Sequence, residues 1–429
     1  MHWFPAARSA HPAALLLLPF FLWGCGGHAP LADPIPDGAA GGALPATVSP
    51  SASAEQEARE LVAAGAPGAA VLHLDAAGLH LGVAGERALG GGDPVTADDR
   101  WHLGSNTKAM TAVLVARLVE AGVVGWDDTV ERWLAELDPH PAYRGATLPQ
   151  LLAHRSGLPA NAEPAVMMAL FGADALRDPM ADRQAYAAAV LASADGTDPA
   201  EGTELAADGA ADGAAGRAAR GAARGGSGPG DPAPFLYSNA GYVVAGAMIE
   251  AATGEAWESL IQTWVWEPLG ITTGGFGPPP DGIQGHRADP EGRLTPQPPG
   301  AFADNPPALG PAGRAHMTLA DYGRFLQAVL DGTRGEGDPG FLSTESWTRL
   351  LSPMEGPRAP GDPAYALGWG VLEEGRLLQH AGSNGLWFVR ARLAPGAGRG
   401  VVVAVNEARV DRLGDAMTQI LEGGEPPRR

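Results

Sequence analysis

The 429-residue chain reads as an α+β protein of the sandwich type, with one sheet drawn from both ends of the sequence around a helical insert. Three observations predict this. Two β-type runs stand near the start, Ala69-Ala-Val-Leu-His-Leu-Asp75 and Gly78-Leu-His-Leu-Gly-Val-Ala84; helical patterns fill most of the middle; strand-like runs follow one another at the end. Early strands, then helices, then consecutive strands are what a chain shows when its helices are segregated from an antiparallel sheet. A hydrophobic content of 45% is enough for a sizeable core.

Taken in order, residues 13–23 form an apolar run too short for a comfortable membrane span, preceded by Arg8 and ending in Leu22-Trp23-Gly24-Cys25. This resembles a bacterial lipoprotein leader, residues 1–24, in which Cys25 would carry the lipid and become the mature N-terminus. The chain would then be exported to the cell envelope, on the periplasmic or outer-surface side of a membrane. Cys25 is the only cysteine, so no internal disulfide is expected. Residues 25–54, rich in Pro, Ala, Gly and Ser, read as a flexible tether. Folded sequence is expected from about Glu55 to residue 424, with a short tail at 425–429.

Within that domain a short helix over 55–64 precedes the two β-type runs, which read as a hairpin. A helix over 106–121, apolar nearly all round, stops at Gly122 and reads as buried and central. Residues 123–235 form a mainly helical subdomain. Inside it the stretch 195–231, Ala, Gly, Asp and Arg without one aromatic, cannot bury enough apolar area to offset its ordering entropy and is expected to be a disordered insertion. Helices follow near 239–253, 256–267 and 319–331. Strands at 364–373, 376–380, 386–393 and 400–406 are spaced as an antiparallel meander, and a helix over 411–421 ends the fold.

The net charge of −20 carries no basic patch with which to neutralise phosphates, so nucleic acid is not an expected partner. His102, His286 and His316 lack metal-ligand spacing, and neither metal nor cofactor is expected. Of the 29 basic residues one is a lysine: Lys108, in Trp101-His-Leu-Gly-Ser105-Asn-Thr-Lys108. An arginine stays protonated at any working pH, whereas a desolvated ammonium can become neutral and take a proton from a neighbouring hydroxyl. At i, i+3 on a helix the two side chains share a face, and the helix N-terminus adds unpaired N–H groups and a positive dipole end at the serine.

Two further motifs join them. Tyr237-Ser-Asn239 opens a helix after the insertion; a phenol beside a cation can shuttle a proton, and an amide can bind a carbonyl. Gln379-His380-Ala-Gly382-Ser383 lies at a strand end, where a glycine admits close backbone approach and an N–H can serve an oxyanion hole. Each has a commonplace reading, as helix cap, core aromatic or hairpin turn, and only the combination and its order are specific. His154 reads as a structural residue at a helix end.

These three motifs resemble those of the penicillin-recognising serine hydrolases, the group of class C β-lactamases, D-alanyl-D-alanine carboxypeptidases and family VIII esterases. Thr147-Leu-Pro-Gln-Leu-Leu-Ala-His-Arg-Ser-Gly-Leu-Pro, Glu267-Pro-Leu-Gly-Ile, Pro311-Ala-Gly-Arg-Ala-His-Met-Thr and Ala366-Leu-Gly-Trp-Gly are similar to family landmarks in the same order. The resemblance implies a five-stranded antiparallel sheet flanked by helices, an all-helical subdomain, and the site between them. It implies Ser105 as acylated nucleophile, Lys108 as its base and Tyr237 as proton donor to the leaving group. Asn239, His380, Gly382 and Ser383 would bind substrate, the N–H groups of Ser105 and Ser383 forming the oxyanion hole. His380 stands where β-lactamases of this group have a lysine, and an imidazole is mostly neutral at pH 7. The substrate expected is therefore a small ester or D-amino-acyl peptide. The alternatives are a β-lactamase and, in another class, a catalytically idle envelope-binding protein of the same fold.

Overall fold

A computed structural model describes residues 47–171, 178–192, 231–280, 282–300 and 302–423. The leader with Cys25 lies outside the described residues, as does the 195–231 insertion apart from Asp231. The main sheet has eight strands, here β1 (Val48–Pro50), β2 (Gly68–Asp75), β3 (Gly78–Gly85), β4 (Ala364–Tyr365), β5 (Gly370–Leu372), β6 (Leu377–Ser383), β7 (Phe388–Ala394) and β8 (Arg399–Val405). Their order across the sheet is β1-β3-β2-β8-β7-β6-β5-β4. Five long antiparallel strands, β3, β2, β8, β7 and β6, form the expected sheet, and three short strands extend its edges. The join between the two ends of the chain is β2 against β8, with Val71 opposite Val403.

The run Val401-Val-Val-Ala-Val405 shows why β8 sits at the centre. Val401, Val403 and Val405 enter a core with Ala54, Ala58 and Leu61 of the helix Ala52–Ala63 and with Met417 and Leu421 of the helix Gly414–Gly423. Val402 and Ala404 enter the larger core on the opposite face, with Leu114 of the helix Thr107–Glu120, Val244 of the helix Asn239–Thr253 and Leu326 of the helix Leu319–Arg334. A strand covered on both faces has no polar alternate, which is why it reads as a continuous apolar run. The fold thus has three layers, helices on either side of the sheet.

Two boundaries differ from expectation. Regular structure is already present at Val48–Pro50, ahead of the expected start near Glu55: β1 pairs in parallel with β3, and Ser51 caps the helix Ala52–Ala63 by accepting from the Ala54 N–H. The strand expected over 364–373 is instead a short hairpin: β4 turns back through residues 366–369, where the Ala366 N–H donates to the Trp369 carbonyl, and pairs antiparallel with β5.

The helical subdomain is fixed to the central helices by a buried ion cluster. Arg183, on the helix Pro179–Leu191, makes a forked bond to Glu250, with Nε 3.0 Å from both carboxylate oxygens and Nη2 2.7 Å from Oε1, and reaches Glu258 at 2.7 Å. Removing one partner strands a buried charge, which costs more than the pair itself contributes. Glu250→Ala is therefore expected to lower stability by about 3–5 kcal/mol, far more than loss of a surface pair such as Arg293–Asp289, both read by urea denaturation.

Candidate active site

Ser105 lies in a single 3-10 turn, Gly104–Asn106, that leads into the helix Thr107–Glu120. The turn is pinned by its own neighbours. Asn106 donates to the carbonyls of Leu103 and Val389 at 2.9 Å each and accepts from the Tyr322 hydroxyl; Thr107 Oγ1 donates to Gly104 O and accepts from Ala315 N–H. The two residues between Ser105 and Lys108 are thus buried clamps that hold the nucleophile's turn against β7 and the Ala315 strand.

Lys108 is fully buried, and its Nζ lies 3.0 Å from Ser105 Oγ, 2.7 Å from Asn239 Oδ1 and 2.6 Å from the Ala312 carbonyl. Burial holds its pKa well below the ordinary lysine value. A neutral amine has two N–H donors and one lone pair. Asn239 Oδ1 and Ala312 O can only accept, so they take the two donors and leave the lone pair for the hydroxyl of Ser105. That is the arrangement a general base requires, and it follows from the identity of the three partners.

Tyr237 hydrogen-bonds Ser105, and its ring centroid is 5.0 Å from Lys108 Nζ. Enclosure raises its phenol pKa, with the bond to Ser105 opposing in part. The phenol therefore remains protonated, as a donor and not a resting base. His154 is more than a helix-end residue: its ring is 4.3 Å from that of Tyr237 and 4.6 Å from that of Tyr365, and its Nδ1 accepts from the Ser238 N–H. Burial holds its pKa well below the usual histidine range, and a proton on Lys108 or His380 would lower it further.

The third motif meets the first backbone to backbone. Gly104, at φ +51°, approaches so closely that a Cβ there would lie 2.3 Å from Ser383 N, and a Cβ on Gly382 would lie 2.5 Å from Ser105 N. Only glycine fits at either position. Ser105 N–H and Ser383 N–H therefore belong to two segments in direct contact, the placement an oxyanion hole needs.

His380, expected among the substrate-binding residues, packs into the wall of the site. It is buried, its Nδ1 donates to the Ala381 carbonyl at 2.9 Å, and its Nε2 accepts from the Tyr365 hydroxyl at 2.9 Å. Burial and the nearby Lys108 hold its pKa down to about 3. It is a neutral ring occupied on both nitrogens, and it orients Tyr365 rather than offering a cation to substrate.

Four contributors were not singled out from the sequence. Asn161 Oδ1 accepts from Asn239 Nδ2 at 3.0 Å, so the Asn239 amide is fixed from both ends and keeps one N–H for a substrate carbonyl. Tyr365 and Tyr242 complete the aromatic wall around Lys108, and the Ala312 carbonyl is a third fixed partner. The Ala366-Leu-Gly-Trp-Gly landmark marked the neighbourhood of Tyr365; a carbonyl has no sequence signal.

The family model described as Beta-lactamase matches residues 54–423. Penicillin-binding protein 4 of Amycolatopsis lactamdurans is 26% identical over 344 residues, covering 77% of this chain and 78% of that one. Esterase EstB of Burkholderia gladioli is 28% identical, covering 74% and 80%. The crystal structure of a D-stereospecific amidohydrolase from Streptomyces sp. superposes with a TM-score of 0.61 at 21% identity, covering 87% of this chain and 99% of that one.

If Lys108 acts as a neutral base, kcat/KM rises with pH as the amine loses its proton, through a pKa well below the ~10.4 of free lysine. Lys108→Arg, which cannot deprotonate, is expected to match Lys108→Ala, both falling by roughly 10²- to 10⁴-fold in kcat/KM. An active arginine variant would show that positive charge alone suffices.

Proposed function

The chain belongs to the Beta-lactamase family and is a serine hydrolase of that superfamily, and we propose that it acts on neutral carboxyl derivatives, small esters and D-amino-acyl amides or peptides. The observation that carries this substrate class is His380: a carboxylate on the substrate would meet an uncharged, buried imidazole already bonded to Tyr365 and Ala381. Arg314, near the segment that bonds Lys108, is committed to Asp304 at 3.0 Å. The helix Pro164–Phe171 begins three residues after Asn161, and Phe302, 67% exposed, stacks on Phe171.

In this reading Ser105 Oγ attacks the substrate carbonyl as its proton passes to Lys108 Nζ, and the oxyanion is held by the N–H groups of Ser105 and Ser383. The Tyr237 phenol protonates the departing alcohol or amine. Because its pKa is raised, a lasting phenolate is disfavoured, and the proton taken up by Lys108 replaces the one it gives. Water then releases the acyl group by the same groups in reverse order.

The test is a parallel measurement of kcat/KM on p-nitrophenyl acetate, a D-alanine anilide, nitrocefin and a D-Ala-D-Ala peptide with a free C-terminus. The first two are expected to exceed the two carboxylate-bearing substrates by about 100-fold or more, the scale of one lost charge-assisted contact. Nitrocefin or peptide turnover as fast as the ester would overturn the reading.

Export and lipid attachment at Cys25 belong to the same proposal, supported by the apolar run 13–23 and Leu22-Trp-Gly-Cys25. In a bacterial host Cys25→Ser is expected to move the protein from the membrane to the soluble fraction. Unchanged membrane association would argue against an anchor at that residue.

A further inference from the structure

Below Ser105 lies a second polar cluster that takes no part in the steps above. Asp304, with its side chain 2% exposed, places Oδ1 2.9 Å from His102 Nε2 and 3.1 Å from Asn384 Nδ2, which donates to it; Oδ2 accepts from Arg314 Nε at 3.0 Å. His102 and Asn384 are far from Asp304 in sequence and Arg314 follows it by ten residues, and each of the three partners holds a different wall of the site.

His102 holds the nucleophile's turn. Its Nδ1 accepts from the Gly104 N–H at 3.2 Å, so the ring proton is on Nε2, directed at Asp304, and Trp387 stacks on the ring at 5.7 Å. Asn384 holds the turn after Ser383: its Oδ1 accepts from the N–H groups of Leu386 and Trp387, while Nδ2 also donates to the Ala303 carbonyl at 3.1 Å. Arg314 stands two residues beyond Ala312, whose carbonyl is one of the fixed acceptors of Lys108. The two backbones that these arms steady are those in contact at Gly104 and Gly382, where a shift of a few tenths of an ångström changes the distance between the Ser105 and Ser383 N–H groups.

We propose that Asp304 is the positioning residue of this hydrolase: one carboxylate, set apart from the reacting atoms, fixes the Ser105 turn, the Ser383 turn and the Ala312 segment against one another and so governs the rate of acylation. Burial alone would raise its pKa, but the charge of Arg314 and the hydrogen bonds from His102 and Asn384 hold it down to about 2, which keeps it ionised over the working range. Asparagine in its place presents a donor where Arg314 or Asn384 already donates, and so disturbs at least one arm without a change of size.

The proposal rests on the Ser105 acyl-enzyme reading, and the experiment separates the two. In the full-length protein, wild type, Asp304→Asn and Asn384→Ala are compared in the rate of Ser105 labelling by a fluorophosphonate, kcat and KM for p-nitrophenyl acetate, affinity for phenylboronic acid as a tetrahedral adduct, and thermal midpoint. Asp304→Asn is expected to lower labelling and kcat by roughly 10- to 100-fold and boronate affinity in parallel, with KM within about twofold. Asn384→Ala, which removes one arm, should show the same split with a smaller loss. A purely structural role would shift the thermal midpoint and leave labelling per folded molecule unchanged. Labelling within about twofold of wild type in folded Asp304→Asn, or in Asn384→Ala should the first not fold, overturns the proposal and leaves the Ser105 reading standing. Absence of a Ser105 adduct in the wild type overturns both.

Discussion

The desolvation of one amine organises this molecule. Lys108 is useful only without its proton, and only a site without water can keep it so at neutral pH. Much of the surrounding architecture serves that condition. The helix that carries it is buried from Thr107 to Leu118, Tyr237 and Tyr242 close over the amine, and two of its polar neighbours are acceptors whose number matches the N–H groups of a neutral amine. The same low-dielectric environment depresses His154 and His380, so these rings add no competing cation. A charged residue placed on this wall would act against the base.

That condition bears on specificity as well as reactivity. An ammonium at position 380 would pair with a substrate carboxylate, but it would also stand among the groups that hold Lys108 neutral. A neutral imidazole bonded to Tyr365 removes the conflict and forgoes the anion contact. The choice between carboxylate-bearing and neutral substrates is in this sense coupled to how the base is tuned, through a single strand position.

The chemistry of the site was readable in the sequence wherever it rests on residue type at short spacing. Ser105 and Lys108, the Tyr237-Ser-Asn239 opening of a helix, and Gly382 beside Ser383 all fall where the motifs place them. The strands of the two termini were also legible, because β2, β3, β7 and β8 carry apolar runs of strand length. What was not legible rests on contacts across long separations. Asn161 meets Asn239 over 78 residues, and Asp304 meets Asn384 over 80. Neither aspartate nor asparagine in a loop announces such a partner. β1 escaped because three residues, Val-Ser-Pro, owe their extended shape to pairing with β3 and not to any pattern of their own. His380, read from the sequence as a substrate-binding residue, is buried against Tyr365, a contact that a strand pattern does not announce.

The join of β2 to β8 has a consequence for the life of the chain before it is folded. Ser105 is synthesised within the first quarter of the sequence, but β6, which brings Gly382 and Ser383 against its turn, comes after residue 376, and β8 closes the sheet only near the end. Contacts of such long range form late, because their loop-closure entropy must be met before they stabilise anything. A ribosome-bound or prematurely ended chain therefore carries Ser105 and Lys108 with water around both, the amine protonated and the serine inert. Hydrolytic capacity arrives with the last strands, so the order of synthesis itself keeps an unfinished hydrolase silent.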